Sequence, residues 1–276
     1  MTQSNETTRN TQPLKRGDQG PEVTVLQQRL KLRGYNVSID GDFGPGTERA
    51  VMDLQLTNFL VVDGIAGPKT LALLQGWDTS QLLSHRDLEE AAIALDVELA
   101  AVRAVNQVES RGSGFLDDGR PVILYERHVM RRRLKHHGLD AQQLATTYPK
   151  LIDRKPGGYQ GGAAEHYRLN LAISIDQTSA LESCSWGLFQ IMGYHAQTLG
   201  YDSVDRFVEL MHESERCQLD AFVRFIKADP ALHQALKDCD WAQFARRYNG
   251  PGYKKNRYDE KLADAYARYL EWEDAA

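Results

Sequence analysis

Cysteine is scarce in this chain of 276 residues. Its three thiols, Cys184, Cys217 and Cys239, are an odd number with no C-x-x-C spacing. That argues against a disulfide framework or a zinc site and suits free thiols in a reducing compartment. Long apolar runs are missing as well: no stretch is long enough to cross a bilayer. The start, "MTQSNETTRNTQ", is polar and has no apolar signal core. The expectation is a chain made in the cytosol, without stable membrane association, that needs another agent to let it out if its target lies elsewhere. An excess of positive charge is also lacking. A net charge of −5 and a pI near 5.9 argue against general nucleic-acid binding. The basic run "RHVMRRRLKHH" (127–137) is the exception, read either as a solvated helix face or as a patch for an acidic polymer. There is no H-E-x-x-H, the histidines apart from His136–His137 are scattered singly, and no Gly-Lys-Ser/Thr follows the glycine-rich segments. No metal and no cofactor is therefore expected. Nothing in the sequence asks for more than a monomer.

What is present divides along the chain. Residues 1–12 read as a disordered polar tail. Residues 13–76 hold an internal echo: "DGDFGPGTERAV" begins at Asp40 and "DGIAGPKTLALL" at Asp63. Each copy is a tight Asp-Gly turn, a second glycine-assisted reversal and a threonine placed to cap a helix. Before them, "PEVTVLQQRLKLRGY" has helical apolar spacing and stops at Gly34. Together these predict a three-helix module. Over nearly its whole length it resembles the peptidoglycan-binding type 1 domain of cell-wall enzymes, through "LKRGDQGPEVTVLQQRL", "GYNVSIDGDFGPGTERAVMDLQ" and "DGIAGPKT". The resemblance implies a module that binds wall polymer in a shallow groove near the turns carrying Asp40, Phe43, Asp63 and Thr70.

Residues 77–87 read as a linker, and 88–276 as one mainly helical domain, so the fold class is all-α. Helices are predicted at 88–95, 97–109, 123–136, 140–147, 164–182, 203–212, 215–228, 241–247 and 259–272, with Asp96, Ser203, Ser214 and Asp240 as N-caps. "KPGGYQGGAA" (155–164) and "NGPGY" (249–253) are loops, the first read as a flexible groove edge.

Three short elements carry the chemistry. "VESRG" ends an apolar helix with Glu109; "SWGLFQIMG" supplies Ser185, Trp186 and Gln190; "ARRYNGPGY" supplies Tyr248 and Asn249. A carboxylate at a helix C-terminus faces the negative end of the dipole, and burial adds to the cost. Glu109 is therefore paired (with Arg111, for instance), solvated, or held protonated for use. In their order and spacing the elements resemble the three motifs of goose-type lysozymes and soluble lytic transglycosylases. The match is closer to the N-acetylmuramidase domain of modular phage endolysins, through "NQVESRGSGFLDDGRPVILYERHVM", "SWGLFQIMGYH" and "ARRYNGPGY". The resemblance implies Glu109 as general acid for cleavage of the β-1,4 bond between N-acetylmuramic acid and N-acetylglucosamine in peptidoglycan.

For a second carboxylate, Asp117, Asp118 and Glu126 are candidates, and Glu126 is preferred because "LDDGRP" has turn-forming duty of its own. A salt bridge to Arg127 or Arg131 is the alternative for Glu126. Ser110, Ser185, Gln190, Tyr248 and Asn249 are expected around the sugar, with Tyr125, Tyr194 and Trp186 as stacking aromatics. A lytic transglycosylase, and a non-catalytic wall-binding virion protein, are the competing readings. The endolysin layout implies synthesis in a host cytoplasm and action on periplasmic peptidoglycan.

Overall fold

A computed structural model describes residues 12–110 and 112–274. The tail expected before them, and Arg111 as a partner for Glu109, lie outside the described residues. The chain forms two compact units, residues 1–86 and 87–276.

The first unit has three helices, α1 (Pro21–Leu32), α2 (Pro45–Thr57) and α3 (Pro68–Leu74). All three start the same way: a glycine N-cap (Gly20, Gly44, Gly67), then proline in the first turn. Proline suits that place because its missing N–H has no partner there anyway and its φ is already helical. The threonines are not the caps they were expected to be. Thr47 and Thr70 sit inside the first turn, 3% exposed each, and face inward.

The reason is a pair of buried glutamines. Gln27 Nε2 donates to Asp40 Oδ1, the Asp42 carbonyl and Thr47 Oγ1, while its Oε1 accepts from the N–H groups of Asp40 and Gly41. Gln55 repeats every one of these bonds with Asp63, Ile65, Thr70 and Gly64. Each glutamine clasps one Asp-Gly turn to the helix that follows it. The doubled turn is thus explained as architecture. Phe43 is completely buried in the module core with Leu26, Leu30, Val51 and Leu54. Neither Phe43 nor Thr70 is available to a polymer, and the Asp40 and Asp63 carboxylates spend hydrogen bonds on the clasps.

Replacing Gln55 with alanine leaves the N–H groups of Asp63 and Gly64 without acceptors, at about 1–3 kcal/mol for each one kept from water. Gln55→Ala is expected to lower the module's unfolding transition in calorimetry of the full chain by about 3 kcal/mol while leaving the second unit's transition in place. An unchanged module transition would show that the clasp adds nothing.

The second unit contains α4 (His85–Leu95, which begins at the unit boundary), α5 (Leu99–Glu109), β1 (Ile123–Tyr125), α6 (Arg127–His136), α7 (Ala141–Thr147), α8 (Ala163–Ile173) and α9 (Gln177–Glu182). There follow β2 (Cys184–Trp186), β3 (Ile191–Met192), α10 (Val204–Glu213), α11 (Glu215–Ala228), α12 (Pro230–Lys237), α13 (Trp241–Tyr248) and α14 (Tyr258–Asp274). Helices dominate. The long α14 lies along α5, and Ala100, Ala104 and Ala265 let the two approach closely under Tyr269.

Ser203, Ser214 and Asp240 cap α10, α11 and α13 by accepting backbone N–H bonds. Asp96 does not cap α5: Glu98 holds that position, and Asp96 has φ +53° and an ion pair with Lys237. The helix expected over 164–182 breaks, because Asp176 accepts from Ser179 N–H and starts α9 afresh. Asp229-Pro230, an N-cap followed by proline, starts the unexpected α12.

The helix expected from residue 123 starts only at Arg127. "ILY" is a strand, paired antiparallel with β2 in the register Ile123↔Trp186, Leu124↔Ser185, Tyr125↔Cys184, and β2 pairs in turn with β3. An isoleucine and a tyrosine buried on one face with leucine between them fit a pleated edge better than a helix. The basic run is largely consumed internally: Arg127 donates to the Lys155 and Pro156 carbonyls, Arg131 to Gln142, and Arg133 and His137 meet Glu182. The glycine loop expected to be a flexible edge is therefore tied to α6 at Lys155 and Pro156.

Candidate active site

Three chain segments converge beside the small sheet. Glu109 is the last residue of α5, and Ser110 ends the helix with extended backbone, its N–H bonded to the Asn106 carbonyl. Asn249 ends α13 and donates from Nδ2 to Glu109 Oε2 at 2.8 Å. Glu109 Oε1 and Asn249 Oδ1 are buried without a hydrogen-bond partner among the described residues. A carboxylate short of water and of donors is costly as an anion. Burial pushes the Glu109 carboxyl up to about 7, against the opposing pull of the Asn249 bond and of Lys261.

Tyr248 points the other way. Its hydroxyl donates to the Phe189 carbonyl at 3.0 Å, and its ring stacks on Phe244 and meets Phe222 and Phe225 edge-on. Burial raises its phenol far above the ordinary range, so it stays a neutral donor. Gln190 has φ +53°, a strained region for a side-chain-bearing residue. Its amide holds it there: Nε2 donates to the carbonyls of Gly187 and Val122, and Oε1 accepts from Ser185 Oγ. This cross-link fixes the β2–β3 hairpin against the segment leading into β1.

The result is a cavity of about 320 Å³ whose walls include Glu109, Gln190, Tyr194, His195, Tyr248 and Asn249. Larger cavities of about 690 and 830 Å³ lie elsewhere in the second unit. Neither is lined by any residue of the three converging motif segments, so chemistry and not volume selects the smaller one.

Several expected residues are placed differently. Glu126 is absent from the cavity. It stands at the far end of β1 from Val122, starts α6, accepts from the Tyr159 hydroxyl and lies 3.1 Å from His128 Nδ1. The apolar run before it, expected as helix, is the strand β1, and Glu126 at its end does not line the cavity. Tyr125 is completely buried, its hydroxyl given to the Leu151 carbonyl. Trp186 is core, 1% exposed, and donates to the Leu181 carbonyl. Ser185 is buried and serves Gln190. Asp118 forms an exposed ion pair with Arg120. His195 and Tyr258 line the cavity although no motif pointed to Tyr258; the signal for His195 was only its place just after "QIMG".

Residues 98–270 match the N-acetylmuramidase family, and this stretch holds all three converging segments. The chain belongs to the N-acetylmuramidase family. Ahead of the muramidase domain, residues 19–74 match a peptidoglycan binding domain. The muramidase is similar to the crystal structure of the endolysin of Burkholderia AP3 phage, with 50% sequence identity and a TM-score of 0.90 over 94% of this chain and 100% of that one. It is also 45% identical to the spore cortex-lytic enzyme of Bacillus cereus over 64 residues, and 42% identical to the zinc D-Ala-D-Ala carboxypeptidase of Streptomyces albus G over 62 residues. Those two matches span 23% and 21% of this muramidase chain and about a quarter of each curated relative.

Proposed function

We propose that the protein is an endolysin that cleaves peptidoglycan glycan strands, hydrolysing the β-1,4 bond from N-acetylmuramic acid to N-acetylglucosamine. The carrying observation is Glu109: a carboxyl that keeps its proton near neutral pH, held by Asn249 at the wall of a saccharide-sized cavity. Such an acid can protonate the leaving glycosidic oxygen as the bond breaks. Tuning of a lysozyme glutamate by an apolar pocket is a known pattern of this chemistry. Tyr194 and Tyr258 offer aromatic surface to sugar faces. The first unit holds the enzyme on the wall polymer. The protein works as a monomer on periplasmic peptidoglycan after passage through the inner membrane of the cell that made it. Among the described residues no helix is long and apolar enough to cross a membrane, so a separate pore is the proposed route.

One observation favours a second reading. Among the described residues no other carboxylate lines the cavity, and a lytic transglycosylase, in which the muramoyl 6-hydroxyl attacks, needs no water-activating group. Mass spectrometry of purified peptidoglycan after digestion separates the two. Free reducing muramoyl ends are expected, and 1,6-anhydro ends would replace the hydrolase reading with the transglycosylase one.

A further inference from the structure

Hydrolysis with a single carboxylate leaves one task unassigned: something must take a proton from the attacking water. Among the described residues lining the cavity, His195 is the one imidazole. His195 closes the 3-10 turn Gly193–His195 directly after β3, is half-buried, and faces the same 320 Å³ space as Glu109. Neither ring nitrogen has a hydrogen-bond partner among the described residues.

The turn that carries it is firmly set. A Cβ on Gly193 would stand 2.3 Å from the Leu181 carbonyl oxygen, so the backbone there is pressed against the end of α9 and tolerates only glycine. The imidazole packs on Tyr194 at 4.3 Å and edge-on against Phe225 at 5.2 Å. Phe225 in turn meets Tyr248, whose neighbour Asn249 holds Glu109. Acid and imidazole are thus fixed to one aromatic frame, on different chain segments, across a shared cavity. An inverting hydrolase needs an acid and a base on opposite sides of the scissile bond with room for a water between them.

We propose that His195 is the general base that activates the hydrolytic water. The inference rests on the hydrolase reading and supplies what that reading lacks. In the step, the Glu109 carboxyl proton passes to the leaving oxygen of N-acetylglucosamine as the C1–O bond breaks and its electron pair leaves with that oxygen. Water oxygen bonds to the muramoyl C1 from the opposite face, and the proton it loses goes to a ring nitrogen of His195. The imidazolium then gives its proton to solvent and the Glu109 carboxylate regains one, so the net change is one water added across the bond. Burial lowers the proton affinity of His195 and raises that of Glu109, the directions that a base and an acid working together require.

The test uses the full chain and soluble glycan strands from purified peptidoglycan. His195→Ala is expected to lower kcat by roughly 10²–10⁴-fold with little change in KM. Added azide, a nucleophile that needs no deprotonation, should restore much of the rate and give a muramoyl azide of inverted, α configuration. A His195→Ala enzyme as fast as wild type, or one that azide does not revive although its melting curve is intact, overturns the proposal. Should the variant not fold, the wild type still decides. Proton NMR of its first-formed product is expected to show the α anomer, and a β anomer overturns the assignment. Reducing ends accompanied by either adverse result sink only the role of His195, whereas 1,6-anhydro ends sink the hydrolase reading itself.

Discussion

Glu109→Gln is expected to abolish glycan cleavage, by about 10⁴-fold at the upper end of what a positioned proton donor supplies, without loss of wall binding or of fold. The amide oxygen of glutamine can still accept from Asn249 Nδ2, so the variant keeps the one hydrogen bond the carboxylate makes among the described residues. Turbidity loss of purified peptidoglycan suspensions, read beside a pull-down on the same material, measures both effects. A Glu109→Gln enzyme that cleaves at the wild-type rate would remove the acid from the mechanism altogether.

The same substitution has a stability signature with a definite sign. The native carboxyl titrates at about 7 instead of 4.5, so the native state holds its proton where the unfolded state has lost it. Stability is therefore full below the unfolded value and falls as pH climbs from about 4.5 to 7. The shift corresponds to at most about 3 kcal/mol. Glutamine has nothing to ionise. Denaturation midpoints of the variant and the wild type should agree near pH 4 and diverge in favour of the variant by about pH 8. Cleavage by the wild type should likewise decline as pH passes about 7, because the reactive form is the protonated one.

Arg168→Met is the second change with a large expected effect, about 3–5 kcal/mol of lost stability. Glu165 and Arg168 form an ion pair at 2.7 Å, their side chains 0% and 5% exposed. Glu165 also accepts from the N–H groups of Gln160, Gly161 and Tyr125, and Arg168 reaches the Tyr125 carbonyl and lies over its ring. Burial works to raise the Glu165 carboxyl, but the backbone donors and Arg168 outweigh it and hold it below the ordinary range. Without the guanidinium a buried anion loses its counter-charge and β1 loses a clamp at Tyr125. Urea unfolding should show the loss, and Glu165→Gln added to Arg168→Met should recover much of it. A single variant as stable as wild type would mean that the pair contributes nothing net.

The candidate site was legible where one short motif delivers one side chain at a helix end. Glu109 and Asn249 came from the resemblance carried by "VESRG" and "YNGPGY", and each stands at the end of a helix. Glu126 was misplaced because three residues before it form a strand instead of a helical turn, and a change of period redirects everything that follows. Ser185 and Gln190 belong to the site segment, yet their polar atoms are spent on each other and on backbone carbonyls. Residue type alone does not tell a group that meets a ligand from one that braces the wall. The same limit hid Gln27 and Gln55. A glutamine in a helix reads as solvated, and only the folded turns show five bonds converging on each. Phe43 was the mirror case, an aromatic beside a turn that faces the core.

The glutamine clasps have a bearing on how the newly made chain takes shape. Every bond they make joins residues between 8 and 20 positions apart. Contacts so near in sequence cost little loop entropy and form quickly, and they lie in the unit that leaves the ribosome before the second one. The wall anchor can be complete while the lytic half is still being translated.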